Sequence, residues 1–219
     1  MQTVAVLDFE TTGLSPRQGD RATEIAVVLL HDGQIVDRYQ SLMNAGKLIP
    51  THVVSLTGIT NEMIASAPSA SKVMREAAKF VGNNQVVAHN ASFDRKFWEA
   101  ELGFLDVAIG VPFTCTMLLA RRVYPHAPNH KLSTLAEMLR LPKSGRAHRA
   151  MADAELTSHL WLQLQVDITR PRGPDTLATT GIEKAVIPCP KCKTRMRLPA
   201  NKTVDATCPH CGSVFRVKT

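Results

Sequence analysis

Val4-Ala5-Val6-Leu7-Asp8-Phe9-Glu10-Thr11-Thr12-Gly13 begins as a strand built for a protein core and ends in two acids. Val4 to Leu7 form the uninterrupted apolar run of a buried strand. Side chains alternate across a strand, so Val6, Asp8 and Glu10 fall on one face. Two carboxylates placed there lose hydration and repel each other, and a divalent cation is the commonest relief for both costs. Taken alone, such acids also read as turn or capping residues.

Two later segments carry the same residue types. His89-Asn90-Ala91-Ser92-Phe93-Asp94 sets an acid at a helix start, where the dipole alone would favour it. In His148-Arg149-Ala150-Met151-Ala152-Asp153, the acid opens an apolar stripe continued by Leu156, Thr157, Leu160 and Leu164. An acid facing a core needs a partner. His148 lies five positions earlier, roughly 140° around the helix axis at about 100° per residue, at or before the helix start. From there it reaches toward a substrate, although a histidine so placed also reads singly as a surface residue. Three independent segments with these residue types point to one site.

The three segments resemble the exonuclease motifs of the DnaQ-like, or DEDDh, 3′–5′ exonuclease family, which includes the proofreading epsilon subunit of bacterial DNA polymerase III. The resemblance runs over residues 1–167 and extends to Leu56-Thr57-Gly58-Ile59-Thr60, Cys115-Thr116-Met117-Leu118-Leu119-Ala120-Arg121 and Lys131-Leu132-Ser133-Thr134-Leu135. It implies an α/β fold with a ribonuclease-H-like mixed sheet flanked by helices. It further implies that Asp8, Glu10, Asp94 and Asp153 hold two Mg²⁺ or Mn²⁺ ions, with His148 as general base. Thr11, Leu14, Thr57 and Phe93 become the nucleotide-binding pocket, with ordinary packing as the competing reading for Leu14, Thr57 and Phe93.

Phosphodiester hydrolysis brings a water-derived nucleophile to an anionic phosphorus while charge grows on the leaving 3′ oxygen. Two cations about 4 Å apart lower the pKa of the water, stabilise the charge and align attack with departure. Hard oxygen ligands favour Mg²⁺ or Mn²⁺ over softer metals. A neutral histidine, with an ordinary pKa of about 6.5, accepts the water proton near neutral pH.

Around these motifs the pattern predicts strands at 3–9, 24–30 and 34–42, with His31-Asp32-Gly33-Gln34 as a hairpin turn. A helix at 70–81 ends at Gly82, and a strand follows at 85–88. Phe93, Phe97, Ala100 and Phe104 recur at helical spacing, with Gly103 as a stop. Further helices are predicted near 113–123, 132–139 and 149–165. The 219 residues, 44% hydrophobic, suffice for one ordinary domain and a small appendage. No apolar run approaches the roughly 20 residues of a membrane span, and the N-terminus lacks a signal-peptide pattern, so a cytoplasmic protein is expected.

After residue 167 the chain changes character. Residues 168–186, rich in Pro, Gly and Thr and without periodicity, read as a linker. Residues 187–219 contain Cys189-Pro190-Lys191-Cys192 and Cys208-Pro209-His210-Cys211 with 15 residues between the pairs. That spacing is a four-thiolate signature for one structural Zn²⁺, and the segment resembles a zinc ribbon with strands at 195–199 and 214–217. A pair of disulfides is the alternative, disfavoured in a reducing compartment. His210 is expected to be exposed rather than coordinating, and Cys115 to lie in the core. Residues 1–170 hold 17 Lys and Arg against 16 Asp and Glu, whereas 171–219 hold 9 against 3, so six of the +7 net charges fall in the appendage. Zinc on four thiolates leaves the tail at about +4. Such a tail suits a phosphate grip, a solvated face or a docking surface for a polymerase or repair protein. Phe215 is its only aromatic residue, which argues against base stacking.

The resulting expectation is a metal-dependent 3′–5′ exonuclease acting in proofreading or DNA repair. It would release nucleoside monophosphates from 3′ ends, with single-stranded DNA as favoured partner and no membrane involvement. The alternatives are an RNA 3′-end-processing exoribonuclease and a catalytically silent nucleic-acid-binding module that recruits through its ribbon.

Overall fold

The apolar run from Val4 becomes strand β1 (Val4–Thr11), which continues through both acids. The computed structural model describes residues 3–105, 107, 110–169, 184–199 and 203–218, which divide between a unit at Met1–Arg170 and a second at Pro171–Thr219.

In the first unit β1 is the middle strand of five, in the order β3-β2-β1-β4-β5. It pairs antiparallel with β2 (Ala22–His31), which pairs antiparallel with β3 (Gln34–Leu42). On its other side lie the parallel strands β4 (Gln85–Ala88) and β5 (Phe113–Cys115). Asp32 and Gly33 join β2 to β3 with φ of 50° and 78°, the left-handed pair that a two-residue hairpin turn needs.

The alternation expected along β1 sorts the two cores. Ala5, Leu7 and Phe9 pack with helices α3 (Ala70–Val81) and α4 (Ala91–Gly103) through Val73, Met74, Phe97 and Trp98. Val4 and Val6 face the other way, with Ala150 and Ala154 of helix α7 (Ala150–Thr169). Asp8 and Glu10 belong to this second set, so they sit on the α7 side of the sheet. The stripe predicted for α7 is buried at Leu156, Thr157, Leu160 and Leu164, and the last two pack on α5 (Thr116–Val123) and α6 (Leu132–Met138).

Three expectations need correction. The helix predicted near 113–123 starts only at Thr116, because Phe113–Cys115 is taken by pairing with β4. Three residues are too few to show a period of two, so tertiary pairing alone specifies this strand. Cys115, expected in the core, is half-buried where β5 hands over to α5. Residues 51–65, assigned no element from the sequence, form helices α1 (Thr51–Thr57) and α2 (Asn61–Ala65), which enclose a small core of Ile49, Val53, Ile59 and Ile64.

The second unit consists of two hairpins, β6 (Lys184–Pro188) with β7 (Arg195–Pro199) and β8 (Thr203–Thr207) with β9 (Val214–Lys218). Strands β6 and β8 were not foreseen. β6 begins inside the stretch read as linker, most of which lies outside the described residues. No helix among the described residues is long and apolar enough to cross a membrane.

Candidate active site

Glu10, His148 and Asp153 each offer a ligand atom within 4.8 Å of the others. Asp153 reaches this point from the first turn of α7, and its Oδ2 accepts the backbone N–H of His148 at 3.0 Å. His148 has φ of 60°, a left-handed conformation uncommon for a side-chain-bearing residue, while its ring stays exposed. The backbone before α7 is thus fixed by the same acid that meets the histidine ring. Asp94 arrives from the first turn of α4, after a turn in which Asn90 has φ of 66°. Its Oδ1 accepts the N–H of Phe9 at 3.3 Å, which ties it to β1 between Asp8 and Glu10.

Burial and mutual repulsion dominate the electrostatics. Asp8 lies well above the usual carboxylate range through burial, reinforced by Asp94, Glu10 and Asp153. Burial, then Asp153 and Glu24, push Glu10 up to about 8, against a smaller pull from Arg149. Asp94 rises to about 7 through burial, opposed by backbone N–H groups including that of Phe9. Burial also raises Asp153, opposed by the His148 N–H. Burial raises all four acids, and neighbouring carboxylates add to it at Asp8 and Glu10; four such oxygen donors fit hard divalent cations, which relieve both costs.

Two buried acids brace the site and were missed from the sequence. Glu24 faces Glu10 in the β1–β2 register and is 1% exposed. It accepts from Arg149 Nε at 3.1 Å and Nη2 at 2.9 Å, from the Ala150 N–H at 3.1 Å and from Gln40 Nε2 at 2.8 Å. Burial pushes its carboxyl up, yet these hydrogen bonds outweigh it and leave the group below its ordinary value. Glu101 accepts from Arg21 Nε at 2.9 Å and Nη2 at 2.8 Å and from the Ala22 N–H at 3.0 Å, joining α4 to the start of β2. Arg149 follows His148 within the third motif, whereas Glu24 opens a predicted strand with nothing local to mark it as that arginine's partner.

The four pocket candidates differ in character. Leu14 is 77% exposed just beyond β1, a large apolar side chain left facing solvent. Phe93 is partly buried, 5.0 Å centroid to centroid from Phe97, with Lys96 Nζ 5.6 Å from its ring centre. Thr11 is buried and its hydroxyl donates to the Gly13 carbonyl at 2.6 Å. The Thr57 hydroxyl donates to Val53 O at 3.0 Å and accepts from Ile59 N at 3.1 Å, so it is spent on the end of α1.

In the second unit Cys189, Cys192, Cys208 and Cys211 bring their sulfurs together as free thiols. Cys189 and Cys211 are 3.7 Å apart, Cys192 and Cys208 3.6 Å. A tetrahedral zinc with bonds of about 2.3 Å separates its sulfurs by about 3.8 Å, so the spacing fits. The knuckles repeat one another: Cys189 N–H donates to Thr194 O and Cys208 N–H to Ser213 O, both at 2.9 Å. A backbone hydrogen bond from Cys192, followed by the Ser213 hydroxyl, draws the Cys189 thiol down to about 6. His210 is exposed and outside the cluster.

The first unit is similar to known exonucleases. Residues 5–160 match the family model RNase T, described as an exonuclease. The chain is 35% identical over 170 residues to a PolC-type DNA polymerase III of Bacillus cereus, covering 76% of this chain and 12% of that protein. It is also 35% identical over 164 residues to the 3′–5′ exonuclease DinG of Bacillus subtilis, covering 74% of this chain and 18% of the relative. This chain therefore spans under a fifth of the length of either relative. Among solved structures, Exonuclease X in complex with 5′ overhanging duplex DNA superposes with a TM-score of 0.63 at 28% identity, covering 74% of this chain and 91% of that one. The nuclease domain of 3′hExo, a DEDDh family member bound to rAMP, shares the fold with a TM-score of 0.65 at 19% identity, covering 76% and 92%.

Proposed function

The chain belongs to the RNase T exonuclease family, and from that premise we propose that it is a metal-dependent 3′–5′ exonuclease releasing nucleoside monophosphates from single-stranded DNA. The observation that carries this reading is the convergence of Glu10, His148 and Asp153 beside Asp8 and Asp94, with all four acids raised.

Asp8, Glu10, Asp94 and Asp153 would hold two Mg²⁺ or Mn²⁺ ions. When bound, such ions acidify water and neutralise charge on the phosphate and leaving oxygen. The exposed His148 ring takes the proton of the attacking water, and the bond from its backbone to Asp153 keeps it aimed at the site. Leu14 and Phe93 pack against the terminal nucleotide, Thr11 lies beside it at the end of β1, and Thr57 shapes the α1 turn beneath it. All five catalytic positions are filled, which disfavours a silent binding module.

DNA is favoured over RNA because the relatives above 25% identity include PolC-type DNA polymerase III and an Exonuclease X solved in complex with DNA. The ribbon's basic excess supports a phosphate grip, with protein docking as its competitor, and four free thiols on one Zn²⁺ suit a reducing cytoplasm.

A direct test offers the purified chain 5′-labelled single-stranded DNA, duplex DNA and RNA of one sequence, with Mg²⁺ or Mn²⁺. A descending ladder with the label retained, strongest on single-stranded DNA, is the expected result. Immediate release of the label as a mononucleotide would contradict the polarity, and a stronger RNA ladder would reverse the sugar preference.

A further inference from the structure

We propose that the first knuckle of the ribbon, through Lys191, Lys193 and Arg195, grips the nucleic-acid backbone by its phosphates alone, on single-stranded and duplex DNA alike. This rests on the phosphate-grip reading above and gives it a face and a chemistry.

The two knuckles repeat one another, so each serves as a control for the other. Cys189-Pro190-Lys191-Cys192-Lys193-Thr194-Arg195 aligns with Cys208-Pro209-His210-Cys211-Gly212-Ser213-Val214. In both, the residue after the second cysteine has a left-handed backbone, with φ of 63° at Lys193 and 69° at Gly212, and donates its N–H to the first cysteine's carbonyl at 2.9 Å. Glycine is the residue that this conformation favours, and the second knuckle uses it. A lysine there is strained, and the turn has no need of its ammonium group. Lys191 and Arg195 likewise stand where the second knuckle has His210 and Val214. The same turn therefore forms without any of the three cations, and turn geometry does not account for them. Nor does the charge of a zinc–thiolate centre, because the four cysteines of both knuckles would share it.

All three side chains are exposed, and among the described residues none meets a carboxylate. Asp205, the only acid from Lys184 to Lys218, is occupied by Arg216, whose Nε and Nη2 both donate to it at 2.7 Å. On β7 Met196 is buried, so the alternation of the strand turns Arg195 outward. Unpaired ammonium and guanidinium groups on one turn suit successive phosphates. The ribbon's only aromatic residue, Phe215, packs against the cysteine cluster, which takes it out of use as a platform for base stacking. Phosphate contacts carry no sequence information, and both single strands and duplexes offer them.

The test uses the full zinc-loaded chain with Asp8→Ala throughout, so that strands survive the measurement. Lys191→His/Lys193→Gly/Arg195→Val rewrites the first knuckle in the residues of the second. Release of zinc to a chromogenic chelator checks the fold, and the rewritten knuckle is expected to hold zinc at least as well as its parent. Binding is titrated by anisotropy at several salt concentrations with a labelled single strand, a strand of abasic residues of equal length and a duplex. The expected result is a loss of about tenfold in affinity for all three, with a salt slope shallower by about 2 on the single strand and about 2.7 on the duplex. Lys191→Gln/Arg195→Gln, which leaves the turn as it is, should repeat about two-thirds of the change in slope. A loss confined to the base-bearing strands, or unchanged affinity and slope in both variants, would overturn the proposal. In the second case Cys189→Ser/Cys192→Ser separates the readings: weaker binding would leave the ribbon a grip on another face, and unchanged binding would remove the grip altogether and favour protein docking.

Discussion

Arg149 grips Glu24 with both edges of its guanidinium, Nε at 3.1 Å and Nη2 at 2.9 Å, although the two residues are 125 positions apart. Glu24 also takes the N–H of Ala150, so one buried carboxylate pins the start of α7 to the strand facing Glu10. His148 precedes the clasp and Asp153 follows one turn later, so both inherit their positions from it.

Replacing that carboxylate should therefore act on chemistry from behind the site. Glu24→Gln keeps the volume but leaves the arginine without its charge partner, and is expected to lower metal affinity or kcat about 10- to 100-fold. The stability loss should be about 1–3 kcal/mol, below that for a fully buried pair because Arg149 is one-third exposed. Titration of Mn²⁺ into the variant, with its melting curve, checks both; unchanged metal affinity and kcat would remove Glu24 from any role at the site.

His148 and Asp153 should separate by function. His148→Ala is expected to cost about 10²- to 10⁴-fold in kcat with divalent-ion binding preserved, whereas Asp153→Ala should weaken that binding as well. Calorimetric Mn²⁺ titrations beside single-turnover rates distinguish the two. Equal losses of metal affinity in both variants would mean that the histidine is a ligand.

The raised carboxylates should make the metal-free chain sensitive to pH. Glu10 and Asp94, at about 8 and about 7 when folded, bind protons more tightly than in the unfolded chain, where acids titrate near about 4. Their contribution therefore grows more unfavourable as pH rises from about 4 to about 8. His89, whose pKa burial lowers, works in the opposite direction below its ordinary value of about 6.5, so comparison with a variant isolates the acids. In chelator, Glu10→Gln/Asp94→Asn should gain melting temperature over wild type progressively between about pH 5 and about pH 8, and saturating Mg²⁺ should erase the gain. A difference that stays constant with pH would contradict the assignment.

The ribbon should fold through its metal and act only on long strands. Without thiolates at Cys189 and Cys192, residues 184–218 should lose their hairpins, since so small a unit has little core beyond Met196 and Ala206. The double substitution, like a chain ending at residue 170, should leave dinucleotide cleavage intact, weaken binding of long strands and flatten its salt dependence. Identical affinities and slopes would favour protein docking.

Legibility in the sequence followed the range of the forces involved. β1, β3, α3 and β4 were readable because each carries its own period or apolar run, and the four acids and His148 stood out as candidates because they sit within compact motifs. Leu156, Leu160 and Leu164 announced the buried face of α7 for the same reason. β5 was hidden because its three residues hold a strand only by pairing with Val86, Val87 and Ala88 of its neighbour. The Glu24–Arg149 clasp was hidden because nothing local marks an acid at a strand start as the partner of an arginine in another motif. Thr57, readable as a pocket residue, spends its hydroxyl on its own helix end, a use visible only once the turn at Gly58 is known.

The identity of the first product tests the central claim most directly. A single-stranded DNA carrying its label on the 3′-terminal nucleotide is mixed with the chain and Mn²⁺, and the earliest labelled species is identified. Release of the terminal nucleoside 5′-monophosphate by wild type, abolished by chelator and reduced by several orders of magnitude in Asp8→Ala and Asp153→Ala, is the expected result. Labelled oligonucleotides as first products, or turnover in either variant close to wild type, would contradict a two-metal 3′–5′ exonuclease built on these acids.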